Sequence, residues 1–268
     1  MYQSDQSGND ELYIIDVRGS LPTRLTNNTA NDIYPIYLRS TNQIGFVSDR
    51  ENGWNLYAMD LNGNNTITIT NNEDTPIADP DWSPDGKLIA VALAPHYSSS
   101  STSYHYDIYV INADGSDQRK LTPKLESEWA PAWSPDGKKI AFSLEESGDV
   151  EIYVIDSDGS NLVQLTDNSG YDGRPRWSPD GTKLVFETDR EGSDWDIYIM
   201  NADGSEPRAV THNSSSDFSA AWSPDGNWLV YVSNKEADYE IYIVDINGQN
   251  QRRLTNNSHN DQAPVWIP

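Results

Sequence analysis

An acidic residue stands five places before an aromatic that recurs along the chain. Asp32, Glu128, Asp172, Asp217 and Asp261 precede Tyr37, Trp133, Trp177, Trp222 and Trp266, and Ile77, before Trp82, breaks the series. Carboxylates repeated at one offset and gathered in one place would form an acidic ring. Such a ring can attract Ca²⁺, another cation, or a Lys or Arg side chain of a partner. The alternative is that each acid caps its own loop by accepting backbone N–H bonds. A second constellation lies closer to the aromatic. Asp79 and Asp81 stand three and one residues before Trp82, and Arg174 and Arg176 hold the same offsets before Trp177. Equal offsets predict equal heights, so the two acids and two arginines are expected to meet or nearly meet. They would make either a salt-bridged plug or a polar floor on which the guanidinium groups grip a carboxylate or sugar acid.

Other candidates are sparser. His212 and His259 follow Thr211 and flank Thr255 on successive repeats, so they share a face and could supply half of a metal site. The stretch LAPHYSSSSTSYHYDIY carries about seven extra residues, with His96, Tyr97, Tyr104, His105 and Tyr106 flanking serines, and is a candidate contact loop. Trp54, Trp129 and Trp195 also lie off the repeating anchor, near loops of the same face. No Gly-x-Ser-x-Gly elbow and no His-Glu-x-x-His is present, so no catalytic residue is assigned.

These positions acquire meaning from the repeat that carries them. Trp-Ser-Pro-Asp-Gly begins at Trp82, Trp133, Trp177 and Trp222, and the anchor series from Tyr37 to Trp266 advances by 45, 51, 44, 45 and 44 residues. Each unit reads as four short β-runs: the anchor run, an apolar run such as IAF or LVF, an EIYVI-like run, and a run ending in Leu-Thr. Pro-Asp-Gly suits the first corner, and Asp-Gly or Asn-Gly the hairpin after the third run. A period of 40–50 residues with four strands is the signature of a β-propeller. The termini complete the count. MYQSDQSGNDELYII aligns without a gap on AFSLEESGDVEIYVI, placing Tyr2 on Phe142 and Tyr13 on Tyr153, while Val265–Pro268 reads as an anchor run. The expected fold is therefore all-β, a six-bladed propeller of four antiparallel strands per blade over residues 1–268. Its ring closes when the C-terminal inner strand joins the N-terminal strands. The anchor tryptophans are expected to pack between blades.

The sentence WSPDGKKIAFSLEESGDVEIYVIDSDGSNLVQLTDN resembles the TolB-like, or PD40, propeller repeats. The resemblance covers the whole chain. It implies a six-bladed propeller, a periplasmic or extracellular location, and binding of a protein partner of basic or lipoprotein type. The same repeat occurs in propellers attached to prolyl-oligopeptidase-like hydrolases and in lyases acting on pectic sugars.

Composition narrows the classes. With 42 acidic residues against 18 Lys and Arg, a net charge of −24, the chain is unsuited to nucleic acid and is repelled by anionic membranes. Apolar runs of about five residues cannot span a bilayer, and the sequence MYQSDQSGND carries no signal-peptide pattern. The chain lacks cysteine, which excludes disulfides and thiolate metal sites. The expected function is a non-catalytic, monomeric binding module that uses one face and the central channel. The alternatives are a metal-dependent lyase or hydrolase acting on acidic sugars, and a structural propeller domain of a larger protein.

Overall fold

Alternating apolar runs separated by Gly-rich corners form hairpins, and here they form six sheets of four antiparallel strands arranged as blades around a channel. The computed structural model describes residues 1–51, 53–71, 76–94, 105–122, 126–192 and 194–267. Blade 3 shows the plan: an inner strand Ser127–Trp133, a second strand Lys139–Glu146, a third Asp149–Asp156 and an outer strand Val163–Gln164. The inner strands of blades 1, 2, 4 and 5 are Asp32–Leu38, Ile77–Trp82, Asp172–Trp177 and Asp217–Trp222. Blade 6 joins the two ends of the chain. Its inner strand Asp261–Gln262 pairs with Tyr2–Ser4, with Ser4 opposite Asp261, and Met1 and Val265 exchange backbone hydrogen bonds of 2.9 and 2.8 Å. Pairing both ends removes the sheet edge an open ring would expose.

The corners follow from their residues. In Ser-Pro-Asp-Gly the serine hydroxyl donates to the aspartate, as Ser134 does to Asp136 at 2.7 Å, and the aspartate accepts the N–H of the residue after glycine. Gly137 closes the turn at φ +71°, where a side chain would be strained. In five of the six blades, aromatic residues of the second and third strands face one another in register, and in blade 2 Val91 stands opposite Tyr109. Tyr2 opposes Tyr13 and Phe142 opposes Tyr153, with ring centroids 5.8 and 6.2 Å apart. Cross-strand aromatic pairs of this kind stabilise a sheet beyond the area they bury.

The anchor tryptophans join the blades. Trp177, Trp222 and Trp266 donate their indole N–H to Ala132, Arg176 and Ala221 carbonyls of the preceding blade at 3.0–3.1 Å. The Trp82 and Trp133 rings lie against a small residue on the second strand of the preceding blade. A Cβ on Gly45 would lie 2.7 Å from the Trp82 ring, and Trp133 packs in one cluster with Ala90. The Leu-Thr segment has a comparable role within the blade. Thr26, Thr70, Thr166, Thr211 and Thr255 are buried and accept the N–H of the third strand at 2.9 Å, from Leu12 and Leu56 through Ile241.

Candidate functional site

The inner strands do not run straight to the channel mouth. Pairing with the second strand slips between Ile33 and Ile36, Ala78 and Asp81, Trp129 and Ala132, Gly173 and Arg176, and Phe218 and Ala221. A bulge therefore occupies one position in each of these blades. In all six blades the residue three before the anchor has positive φ: Tyr34, Asp79, Ala130, Arg174, Ser219 and Ala263, at +46° to +53°. None is glycine, and this region is costly for a side chain, so the surrounding structure must hold it. It does so across the blade boundary. The freed N–H groups of Tyr34, Arg174 and Ser219 donate to Gln3, Ser143 and Glu187 on the second strand of the preceding blade, at 2.8–3.0 Å.

The bulge turns the residues beyond it toward different surroundings. The five acids predicted to ring the mouth, Asp32, Glu128, Asp172, Asp217 and Asp261, are fully buried within their blades. In an unbroken strand they would face the same way as the residues one and three before the anchor, but one extra residue per strand reverses the direction. Four of them pin the loop that enters their own strand. Asn28, Asn168, Asn213 and Asn257, four residues earlier, donate side-chain N–H bonds to Asp32, Asp172, Asp217 and Asp261 at 2.6–2.8 Å. Arg50 and Arg190 add ion pairs to Asp32 and Asp172 at 2.8 and 2.5 Å and lie over the Phe46–Tyr57 and Phe186–Tyr198 rings. Glu128 accepts the Thr122 hydroxyl at 3.2 Å. Burial pushes Glu128 up to about 7 and Asp261 up to about 6, and it raises Asp217 as well.

What lines the mouth instead is a cup of about 680 Å³ on the face that carries the loops into the inner strands. Its wall is aromatic: Tyr34, Trp54, Tyr171, Trp195, Phe218 and Tyr239, all half-buried. Tyr171 and Trp195 pack with centroids 4.4 Å apart, and Phe218 meets Tyr239 edge-on at 5.2 Å. Gly173 makes room for this wall, because a Cβ there would overlap the Tyr171 hydroxyl. Asp10, Asn31, Gln3 and Gln262 add polar groups.

The floor is an ion cluster. Arg174 reaches Asp79 at 3.2 Å and Glu187 at 3.4 Å, and the Tyr171 hydroxyl lies 3.5 Å from Glu187. Asp79 beside it holds Arg174 above its ordinary range, against the opposing pull of burial. Burial also raises Glu187, with Arg174 opposing the rise. The second acid–arginine combination behaves differently. Asp81 accepts the Trp133 backbone N–H at 2.6 Å, while Arg176 turns its guanidinium to the carbonyls of Pro175, Ala130 and Pro131 at 3.1–3.5 Å. Burial in the channel lifts Asp81 to about 6. Of the two pairs expected to meet, Asp79 and Arg174 are in contact and Asp81 and Arg176 are not within ion-pair distance.

The histidines are dispersed among acids. His212 lies 3.4 Å from Glu191 and 3.8 Å from Asp196, and His259 lies 3.4 Å from Asp5. Among the described residues no three metal-ligating side chains converge. Of the contact-loop candidates, His105 is exposed and Tyr106 packs against the core of blades 2 and 3. His96, Tyr97 and Tyr104 lie outside the described residues.

A family model described as the TolB β-propeller domain matches residues 1–98 and 107–268. The chain belongs to that family. Among curated TolB-family relatives, the Tol-Pal system protein TolB of Alcanivorax borkumensis is 33% identical over 97 residues, covering 36% of this chain and 21% of that protein. Dipeptidyl-peptidase 5 of Porphyromonas gingivalis is 36% identical over 70 residues, covering 26% and 10%. The chain spans less than half the length of these relatives. Among solved structures, TolB from Acinetobacter baumannii superposes with a TM-score of 0.82 at 20% identity, over 98% of this chain and 64% of that one. An oligogalacturonate lyase from Vibrio parahaemolyticus superposes with a TM-score of 0.66 at 16% identity, over 96% and 74%. At these identities the superpositions speak for the fold. Within this TolB-type propeller, Arg174, Trp54 and Trp195 of the sequence candidates reach the cup, Trp129 packs against the core of blades 2 and 3 instead, and Glu187, Tyr171, Phe218 and Tyr239 were not among the candidates. Glu187 carried a usable signal. It is an acid inside the apolar run LVFET, where the other blades have Gln3, Val47, Ala92, Ser143 and Val232.

Proposed function

We propose that the protein is a non-catalytic binding module that receives a protein partner in the aromatic cup at one mouth of its channel. The cup itself carries the proposal: six half-buried aromatic rings, brought from several blades onto one face around a buried ion cluster. Tyrosine and tryptophan offer large contact areas with few rotatable bonds, and such side chains concentrate at protein interfaces. Family membership supports the reading, since relatives are named as components of the Tol-Pal system. It also supports a periplasmic or extracellular setting. A lyase or hydrolase acting on acidic sugars has less support, because the guanidinium in the cup is already held by Asp79 and Glu187.

The test is affinity capture from an extracytoplasmic extract of the native host, with immobilised wild type, the double variant Trp195→Ala/Tyr239→Ala, and Lys138→Ala on a corner of the opposite face. A partner retained by wild type and Lys138→Ala but lost from the cup variant is the expected result. Equal retention by all three would sink the proposal.

A further inference from the structure

The charge and the walls of the cup together select what can enter it. We infer that the cup receives a basic side chain, a lysine or arginine presented by a segment of the partner protein; this rests on the binding reading above and names the chemistry of that site. Arg174 is met by two carboxylates, Asp79 at 3.2 Å and Glu187 at 3.4 Å, so these contacts set two acids against one guanidinium. Asp10 on the rim adds another carboxylate. An anionic ligand would find the cup's guanidinium, Arg174, already paired and would face these acids. A neutral apolar ligand would leave the acids without a counter-charge.

A cation finds complementary partners. Aromatic faces attract ammonium and guanidinium groups through the negative potential above the ring, and tryptophan does so most strongly. Trp54, Trp195, Tyr34 and Tyr171 supply such faces within the lining that also contains Glu187. The Glu187 carboxylate is fixed rather than mobile. It is 2% exposed, and one oxygen accepts the Ser219 N–H at 2.9 Å while the other faces Arg174. A pre-positioned carboxylate beside aromatic faces costs little reorganisation when a cation arrives. At about 680 Å³ the cup is far larger than one ammonium group, which favours a side chain carried on a peptide over a free amine. The net charge of −24 would steer a basic segment toward the molecule.

Fluorescence anisotropy with labelled Gly/Ser peptides that differ at one central residue tests this. The probes carry lysine, arginine, norleucine or glutamate, and binding is measured at physiological salt to wild type, Glu187→Gln and Trp195→Ala, each checked for folding by circular dichroism. The lysine and arginine peptides are expected to bind wild type about tenfold more tightly than the norleucine and glutamate peptides. Both substitutions should erase most of that preference. Norleucine binding as well as lysine, or no peptide binding at millimolar concentration, would overturn the inference. So would a preference that survives both substitutions, which would mark it as long-range charge. A captured partner lost with Trp195→Ala but kept with Glu187→Gln would leave the binding face standing and remove the basic side chain from it.

Discussion

Glu128 is the acid whose surroundings most sharply separate a buried loop cap from a cation ligand. Its side chain is fully buried, and burial lifts it from an ordinary value near 4.5 to about 7, with the Asp107 charge adding to the rise and Lys120 opposing it. A carboxyl raised this far makes its ionised form unfavourable by about 3 kcal/mol in the folded state. The sign follows from linkage. The raised acid binds its proton more tightly in the folded protein than in the unfolded chain, so its favourable contribution is complete below about pH 4.5 and is lost as pH rises through about 7. Glu128→Gln removes that titration. Urea unfolding of both proteins from about pH 4.5 to 8.5 should therefore diverge, with the variant gaining about 1–3 kcal/mol relative to wild type across the range. At this chain length that corresponds to roughly 2–4 °C in Tm per kcal/mol. The constant cost of placing an amide beside Thr122 shifts the whole curve and leaves its slope unaffected. Parallel curves would refute the reasoning, because they would mean that Glu128 is ionised and satisfied across this range. A relative loss on raising the pH would point to a bound cation.

Three further outcomes follow from the packing. Arg174→Met should destabilise by about 3 kcal/mol by leaving Asp79 and Glu187 buried without a counter-charge, and adding Asp79→Asn should recover part of the loss in the same urea assay. Trp222→Phe removes the indole bond to the Arg176 carbonyl together with part of the ring wedged between blades 4 and 5. A loss of about 1–2 kcal/mol is expected, measured by denaturant midpoint at unchanged m-value. Thr211→Val strands the Ile197 N–H and removes a donor from Asp196, and should cost about 1–3 kcal/mol, with faster amide exchange at Ile197 as its local signature.

The blades were legible because turn chemistry and periodicity recur. Trp-Ser-Pro-Asp-Gly marks every inner corner from Trp82 to Trp222, Asp-Gly or Asn-Gly marks five of the six outer hairpins, and the alignment of Tyr2 with Phe142 anticipated the closing strand. The candidate site was less legible, and the cause is local. Left-handed positions usually announce themselves as glycine, but here they are held by Tyr34, Asp79, Arg174 and Ser219. No residue type signalled that the alternation reverses there. The same reversal buried Asp172 and Asp217 and brought Phe218 into the cup. Tyr171 depends on Gly173, a substitution visible in the sequence whose meaning emerges only when the tyrosine is seen folded over it. Asp79 and Arg174 could be matched by offset because both sit at the bulge itself. Asp81 and Arg176 share an offset as well, yet the Trp133 amide and nearby carbonyls offered closer partners.

Site-specific photo-cross-linking in living cells of the native host tests the central claim most directly. A benzophenone amino acid replaces Phe218 in the cup or Pro135 on the opposite face, and the adducts are compared. A discrete protein adduct from position 218 and none from position 135 is the expected result. Adducts from position 135 alone, or from neither position, would contradict it.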